Sequence, residues 1–131
     1  MKTFKNKVAA ITGAGSGIGR ALALDLAKRG CHLALSDIDP HGLADTMRML
    51  KTSDVQVSGR MLDVADRDAV HEWAKAVAEE HGGANLIFNN AGVALGSPID
   101  GMRDEDLRWI MDINFWGVVN GTQAFLPQIK N

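Results

Sequence analysis

The sequence predicts an α/β protein built on one open, doubly wound parallel sheet with helices on both faces. Short β-rich runs alternate along the chain with longer segments of helical spacing, the pattern of parallel strands joined by right-handed crossovers. The strand candidates are short and apolar, as when both faces of a sheet are covered. Size and composition agree. The 131 residues, 46% hydrophobic and 23% charged, form one domain or part of one, with enough apolar content for a real core; disorder throughout is excluded.

The elements follow in order. Val8 to Thr12 is an apolar run that ends in glycines. Ile18, Leu22 and Leu26 then recur every four residues, and Gly30 stops that helix. Leu33 to Ser36 is a second strand, closed by Asp37. Pro40 opens the next helix, on which Leu43, Met47 and Leu50 share a face. Val55 to Leu62 is a third strand, the weakest because it holds Ser58 and Gly59. Val70, Trp73 and Val77 mark a third helix, ended by His81-Gly82-Gly83. Leu86 to Phe88 is a fourth strand running into Asn89-Asn90-Ala91-Gly92, and a loop with Gly96 and Pro98 follows. The last helix starts near Asp104, where Asp104, Glu105 and Asp106 meet the positive end of the helix dipole. It is expected to run through Leu107, Ile110, Met111, Phe115 and Val118 to about Phe125.

Charge and cysteine usage narrow the function classes. Fourteen Lys and Arg against 16 Asp and Glu give a net charge of −2, with no basic footprint for nucleic acid and no polybasic membrane patch. No stretch approaches the roughly 20 apolar residues of a membrane span. The basic start from Met1 to Lys7 precedes an apolar run too short for a signal peptide. The single Cys31 excludes a disulfide within the chain and a multi-cysteine metal site; it reads as packed, in a reduced cytoplasmic setting. His32, His41, His71 and His81 lack ligand-like spacing, so no metal is expected. Asn120-Gly121-Thr122 matches a glycosylation sequon, but carries no weight without a secretion signal. Trp73 and Trp109 read as core or rim, and the methionines as gap-fillers.

The chemistry begins at Thr12-Gly13-Ala14-Gly15-Ser16-Gly17-Ile18-Gly19, between the first strand and the first helix. Gly13 and Gly15 allow a tight turn where a side chain would clash. Gly17 and Gly19 let the helix N-terminus approach a pyrophosphate and pack closely on the sheet, with free N–H groups and the helix dipole facing the anion. The plain alternative is a glycine-rich turn without a ligand. Asp37 stands 18 residues beyond Gly19, where a Rossmann-type dinucleotide fold places an acid against ribose hydroxyls. A carboxylate accepts from a 2′-OH and repels a 2′-phosphate. No Arg or Lys lies between Ser36 and His41, and position 16 is Ser, so NAD is favoured over NADP. The alternative for Asp37 is an exposed strand-end acid turning into Pro40.

These residues resemble the short-chain dehydrogenase/reductase family along almost the whole chain. The TGxxxGIG fingerprint stands as Thr12 to Gly19, the acid after the second strand as Asp37, the adenine-contacting Asp-Val as Asp63-Val64, and the NNAG motif as Asn89 to Gly92. The resemblance implies a Rossmann-type three-layer fold with strand order 3-2-1-4 in residues 1–131. It implies cofactor contacts from Gly13, Ser16, Gly17, Ile18, Gly19, Asp37, Ile38, Asp63, Val64, Asn90, Ala91 and Gly92. The first Asn of NNAG, Asn89, is by resemblance a sheet-stabilising residue.

Asn114 falls on the apolar stripe of the last helix, seven residues after Leu107 and four before Val118. A buried amide needs its donors and acceptors satisfied. One reading is a helix-packing Asn bonded to backbone. The resemblance implies instead the Asn of the catalytic tetrad, holding a water that relays protons. The family's Ser and its Tyr-x-x-x-Lys belong to a later strand and helix. No Tyr occurs among the 131 residues, so the stretch is expected to be inactive by itself.

Three readings stay open: the cofactor half of a full-length dehydrogenase, truncated before the fifth strand; a naturally short dinucleotide-binding or sensing module; and a degraded interaction domain. The first implies hydride transfer between NAD and a small-molecule secondary alcohol or ketone, in a complete seven-stranded protein that forms dimers or tetramers. It also implies a raw edge at the fourth strand, an exposed apolar patch of Phe115, Trp116 and Val119, and self-association of the isolated stretch.

Overall fold

A computed structural model describes residues 3–130. Four strands, β1 (Val8–Ile11), β2 (His32–Asp37), β3 (Val57–Met61) and β4 (Leu86–Phe88), pair in parallel in the order β3-β2-β1-β4. This is the expected class and strand order, with β3 and β4 at the edges. The helices are α1 (Gly17–Lys28), α2 (Pro40–Met49), α3 (Arg67–His81), α4 (Asp104–Met111) and α5 (Gly117–Lys130).

Local chemistry sets the helix ends. Asp39 caps α2, its carboxylate accepting from the His41 N–H at 3.0 Å, and Pro40 supplies a preset φ. Asp66 caps α3 by accepting from the Ala69 N–H at 3.1 Å, and Gly82 closes it at φ +78°. Gly30, at φ +79°, ends the turn after α1.

Alternation along the strands splits the interior into two cores, one per sheet face. Ala9, Ile11, Leu33 and Leu35 pack with Ala23 and Leu26 of α1 and Leu43 of α2. Val8, Ala10 and Ala34 face Val70, Trp73 and Val77 of α3 and Phe125 of α5. Trp73 and Phe125 meet edge-on, centroids 5.0 Å apart at 75°, a contact worth about 1 kcal/mol beyond its burial. Cys31 is buried, and burial pushes its thiol pKa up, which suits packing rather than reactivity.

The structure departs from the sequence reading in four places. β1 stops at Ile11, because Thr12 turns its hydroxyl to the loop after β4. β3 starts at Val57 rather than Val55 and is half-buried to exposed, as an edge strand rich in polar residues should be. The last helix is not uniform: a π turn spans Asp112–Trp116, and α5 continues past Pro127 to Lys130. A π turn takes more residues than an α turn, so the phase counted from Leu107 does not carry across it. Val119 is half-buried while Val118 is exposed beside Phe115 (49%) and Trp116 (51%). Finally, Asn114 is exposed rather than buried: α4 buries none of its residues, and among the described residues only the Val93 backbone hydrogen-bonds with the Asn114 amide.

Candidate functional site

A cleft of about 340 Å³ opens at the carboxyl ends of the strands, bounded by the β1, β2 and β4 termini. This is where the strand order reverses and crossovers leave on opposite faces. Gly13, Ser16, Gly17, Ile18, Asp37, Ile38, Asp63, Val64, Asn90, Ala91 and Gly92 all line it, together with Ser36, Leu62, Val93 and Ile113. Of the residues singled out from sequence, Gly19 and Asn114 do not line it. Gly19 is buried behind the loop, and Asn114 grips the cleft wall from outside.

At one end lies the start of α1. Ser16 is extended there and makes no side-chain cap. The Arg20 N–H is bonded back to the Ser16 carbonyl at 3.2 Å, leaving the N–H groups of Gly17, Ile18 and Gly19 without a partner inside the helix. Gly17 has φ +52°, and a Cβ there would meet nothing within 4 Å. It is glycine for its backbone and leaves open space above the N–H groups.

Gly13 and Gly19 are glycines for closeness. A Cβ on Gly13 would stand 2.9 Å from the Ala91 Cα, and one on Gly19 would stand 2.7 Å from the Asn90 Nδ2. The loop therefore seats on the turn after β4. Thr12 Oγ1 accepts from the N–H groups of Asn90 and Ala91, both at 3.0 Å. Asn90 Nδ2 donates to the carbonyls of Thr12 (3.1 Å) and Gly13 (3.2 Å).

At the other end, Asp37 holds a fixed carboxylate. Its Oδ2 accepts from the Gly15 N–H at 2.8 Å and its Oδ1 from the Asp39 N–H at 2.9 Å. A carboxylate has roughly four acceptor positions, so about two stay open toward the cleft. Asp63 accepts from the Ala65 N–H at 2.9 Å, and Val64 is buried beside it. No Lys or Arg lines the cleft among the described residues. An anion there would be held by backbone N–H groups, and the acids stand apart from that cradle, at the ends of β2 and β3.

Asn114, inside the π turn, is bonded to backbone at both ends of its amide. Its Oδ1 accepts from the Val93 N–H at 2.9 Å, and its Nδ2 donates to the Val93 carbonyl at 2.8 Å. Each end keeps one further hydrogen-bonding position.

Sequence reasoning missed several supporting residues. Asn120 is buried and donates to the Val64 carbonyl at 2.9 Å, while a Cβ on Gly117 would stand 2.7 Å from the Val64 Cγ2. The sequon at 120 is therefore a packed amide. Arg20 and Thr46 bind the glycine loop from behind. The signal for Arg20 was a cation in the first turn of a helix, where the dipole disfavours it. Gly15, read as a turn glycine, has no positive φ; it is glycine because a Cβ would stand 2.8 Å from Asp37 Oδ2. Among the described residues no cluster of His, Cys, Asp and Glu could hold a metal, and no helix is long and apolar enough to cross a membrane.

Comparison with known proteins identifies the family. A model of the short chain dehydrogenase family matches residues 7–131. SadH of Mycobacterium tuberculosis, an oxidoreductase by name, is 50% identical over 129 residues, 98% of this chain and 47% of SadH. Estradiol 17-beta-dehydrogenase 11 of Macaca fascicularis is 34% identical, over 99% of this chain and 44% of that protein. The chain thus spans about half the length of these relatives. A short chain dehydrogenase/reductase of Burkholderia phymatum, solved in complex with NAD, superposes with a TM-score of 0.95 at 40% identity, over 98% of this chain and 46% of that one.

Proposed function

This chain belongs to the short chain dehydrogenase family, and from that premise we propose that it is the cofactor-holding part of an NAD-dependent oxidoreductase. The proposed reaction is reversible hydride transfer between NAD and a secondary alcohol or ketone. A bound nicotinamide supplies the hydride chemistry; the residues here bind and orient. The N–H groups of Gly17, Ile18 and Gly19 receive the pyrophosphate, with the dipole of α1 behind them. Asp37 offers its two open acceptor positions to the neighbouring hydroxyls of the adenosine ribose. Ile38, Asp63 and Val64 border the adenine, and the backbone of Ala91 and Gly92 forms the facing wall.

Asn114 holds that wall through Val93, and its spare donor and acceptor suit it to a proton relay. With no Tyr among the 131 residues, the proton donor for the carbonyl oxygen is assigned outside this stretch, which is expected not to turn over alone. Residues 1–131 then form a single cofactor-binding domain, and the exposed apolar face around Phe115 and Trp116 fits a protein that works as a homo-oligomer.

The observation that carries NAD over NADP is the Asp37 carboxylate, facing the cleft with no cation to offset a 2′-phosphate. Fluorescence titration with NADH and NADPH tests it. NADH should bind at least about tenfold more tightly, the value of one disfavoured charge contact. Equal affinities would remove the preference, and binding of neither would remove the function.

A further inference from the structure

We propose that Arg20, acting through Thr46 and the Ala14–Gly15 peptide, positions Asp37 and so shares in choosing between NAD and NADP. The inference rests on the reading that Asp37 meets the adenosine ribose.

Four hydrogen-bonding groups run in line from the cation to the anion. Arg20 Nε donates to Thr46 Oγ1 at 2.9 Å. Thr46 Oγ1 donates to the Ala14 carbonyl at 2.8 Å. That carbonyl shares its peptide with the Gly15 N–H, which donates to Asp37 Oδ2 at 2.8 Å. Each group donates in the same direction, so every dipole in the row is aligned by the charges at its ends. Such a row polarises cooperatively.

The remaining contacts make the row rigid. Arg20 Nη2 donates to the carbonyls of Gly15 (2.6 Å) and Gly42 (3.2 Å), which ties the loop to the start of α2. Thr46 is fully buried, with no water to replace its bonds. A Cβ on Gly42 would stand 2.7 Å from the Gly15 carbonyl, and one on Gly15 would collide with Asp37 Oδ2. The loop can therefore neither lift nor accept a side chain without moving the carboxylate. A carboxylate fixed before binding loses less freedom on meeting two hydroxyls, and it cannot swing aside to admit a phosphate.

The test compares Kd for NADH and NADPH in the parent protein and in Thr46→Val, Thr46→Ser, Arg20→Lys and Asp37→Asn. Thr46→Val breaks the row while leaving the Arg20 charge. It should weaken NADH about fivefold, the scale of one hydrogen bond, and NADPH less than about twofold. Thr46→Ser keeps the hydroxyl and should restore the parent ratio. Arg20→Lys keeps the charge but not the fork, and should shift the ratio in the same direction; it carries the comparison if Thr46→Val does not fold. A purely structural role would weaken both cofactors alike and leave the ratio unmoved. If Asp37→Asn shifts the ratio while Thr46→Val and Arg20→Lys leave it within about twofold, the inference is overturned and the cofactor reading stands. If Asp37→Asn leaves the ratio unmoved, both fall.

Discussion

Replacing Thr12 by Val removes the hydroxyl that joins the glycine loop to the opposite wall of the cleft. The side chain is 2% exposed and Val is close to it in shape, so the substitution leaves no large void. Two N–H groups lose an acceptor, those of Asn90 and Ala91. The Asn90 N–H keeps a second bond, to the Phe88 carbonyl at 2.9 Å, whereas the Ala91 N–H loses its acceptor outright. Orphaning one half-buried donor and weakening another costs about 1–2 kcal/mol. For a domain of this size that lowers Tm by roughly 4–8 °C. Thr12→Ser loses a buried methyl, worth about 1 kcal/mol, but keeps the acceptor, so stability alone separates the two variants poorly. Binding separates them. The Val variant frees the turn that walls the cleft and should weaken NADH about fivefold or more, while Ser should bind as the parent does. Urea unfolding and NADH fluorescence titration measure both quantities. A Val variant that binds NADH within about twofold of the parent would show that the Thr12 bridge does not hold the cleft open, and the reasoning would be wrong.

Two further substitutions probe separate features. Gly17→Ala forces an L side chain to φ +52° and puts a Cβ into the open space above the α1 N–H groups. It should cost about 1–2 kcal/mol of stability and weaken NADH by more than about tenfold; unchanged affinity would take Gly17 out of the cradle. His81 probes pH. It contacts Ser58 Oγ at 2.7 Å, and burial lowers its pKa, with Glu80 opposing and His32 reinforcing the shift. The unfolded chain, with an ordinary His pKa near ~6.5, therefore takes up the proton first on acidification. His81 contributes its stability in full above that value and loses it as pH falls through the unfolded and then the folded pKa. Urea midpoints between about pH 7.5 and 5 should fall less steeply in His81→Gln than in the parent, and parallel profiles would contradict this.

Much of the architecture was legible because its causes are local. The parallel, doubly wound class followed from alternation of element type plus the handedness of crossovers, whereas the strand order 3-2-1-4, and with it the place of the cleft, followed from the family resemblance. The glycines from Gly13 to Gly19 marked the turn into α1, Pro40 marked the start of α2, and Asp37 stands at a strand end that a parallel sheet brings to the cleft; the caps at Asp39 and Asp66 and the positive φ of Gly17 came from the structure. Asn114 shows the limit. Its spacing from Leu107 gave a burial that the π turn and the uncovered face of α4 overrule, and its bonds to Val93 reach 21 residues back along the chain.

What the amino-acid order determined alone is the set of elements, their order along the chain and the glycine-rich turn, since periodicity and turn preferences act within a few residues. Only the folded chain decided which groups meet: Thr12 with Asn90 and Ala91, Asn120 with Val64, and Arg20 with Thr46, Ala14, Gly15 and Asp37. Those contacts join segments from different crossovers. Their bonds depend on ångström-scale distances that packing of helices against the sheet sets, and no spacing in the sequence encodes such distances.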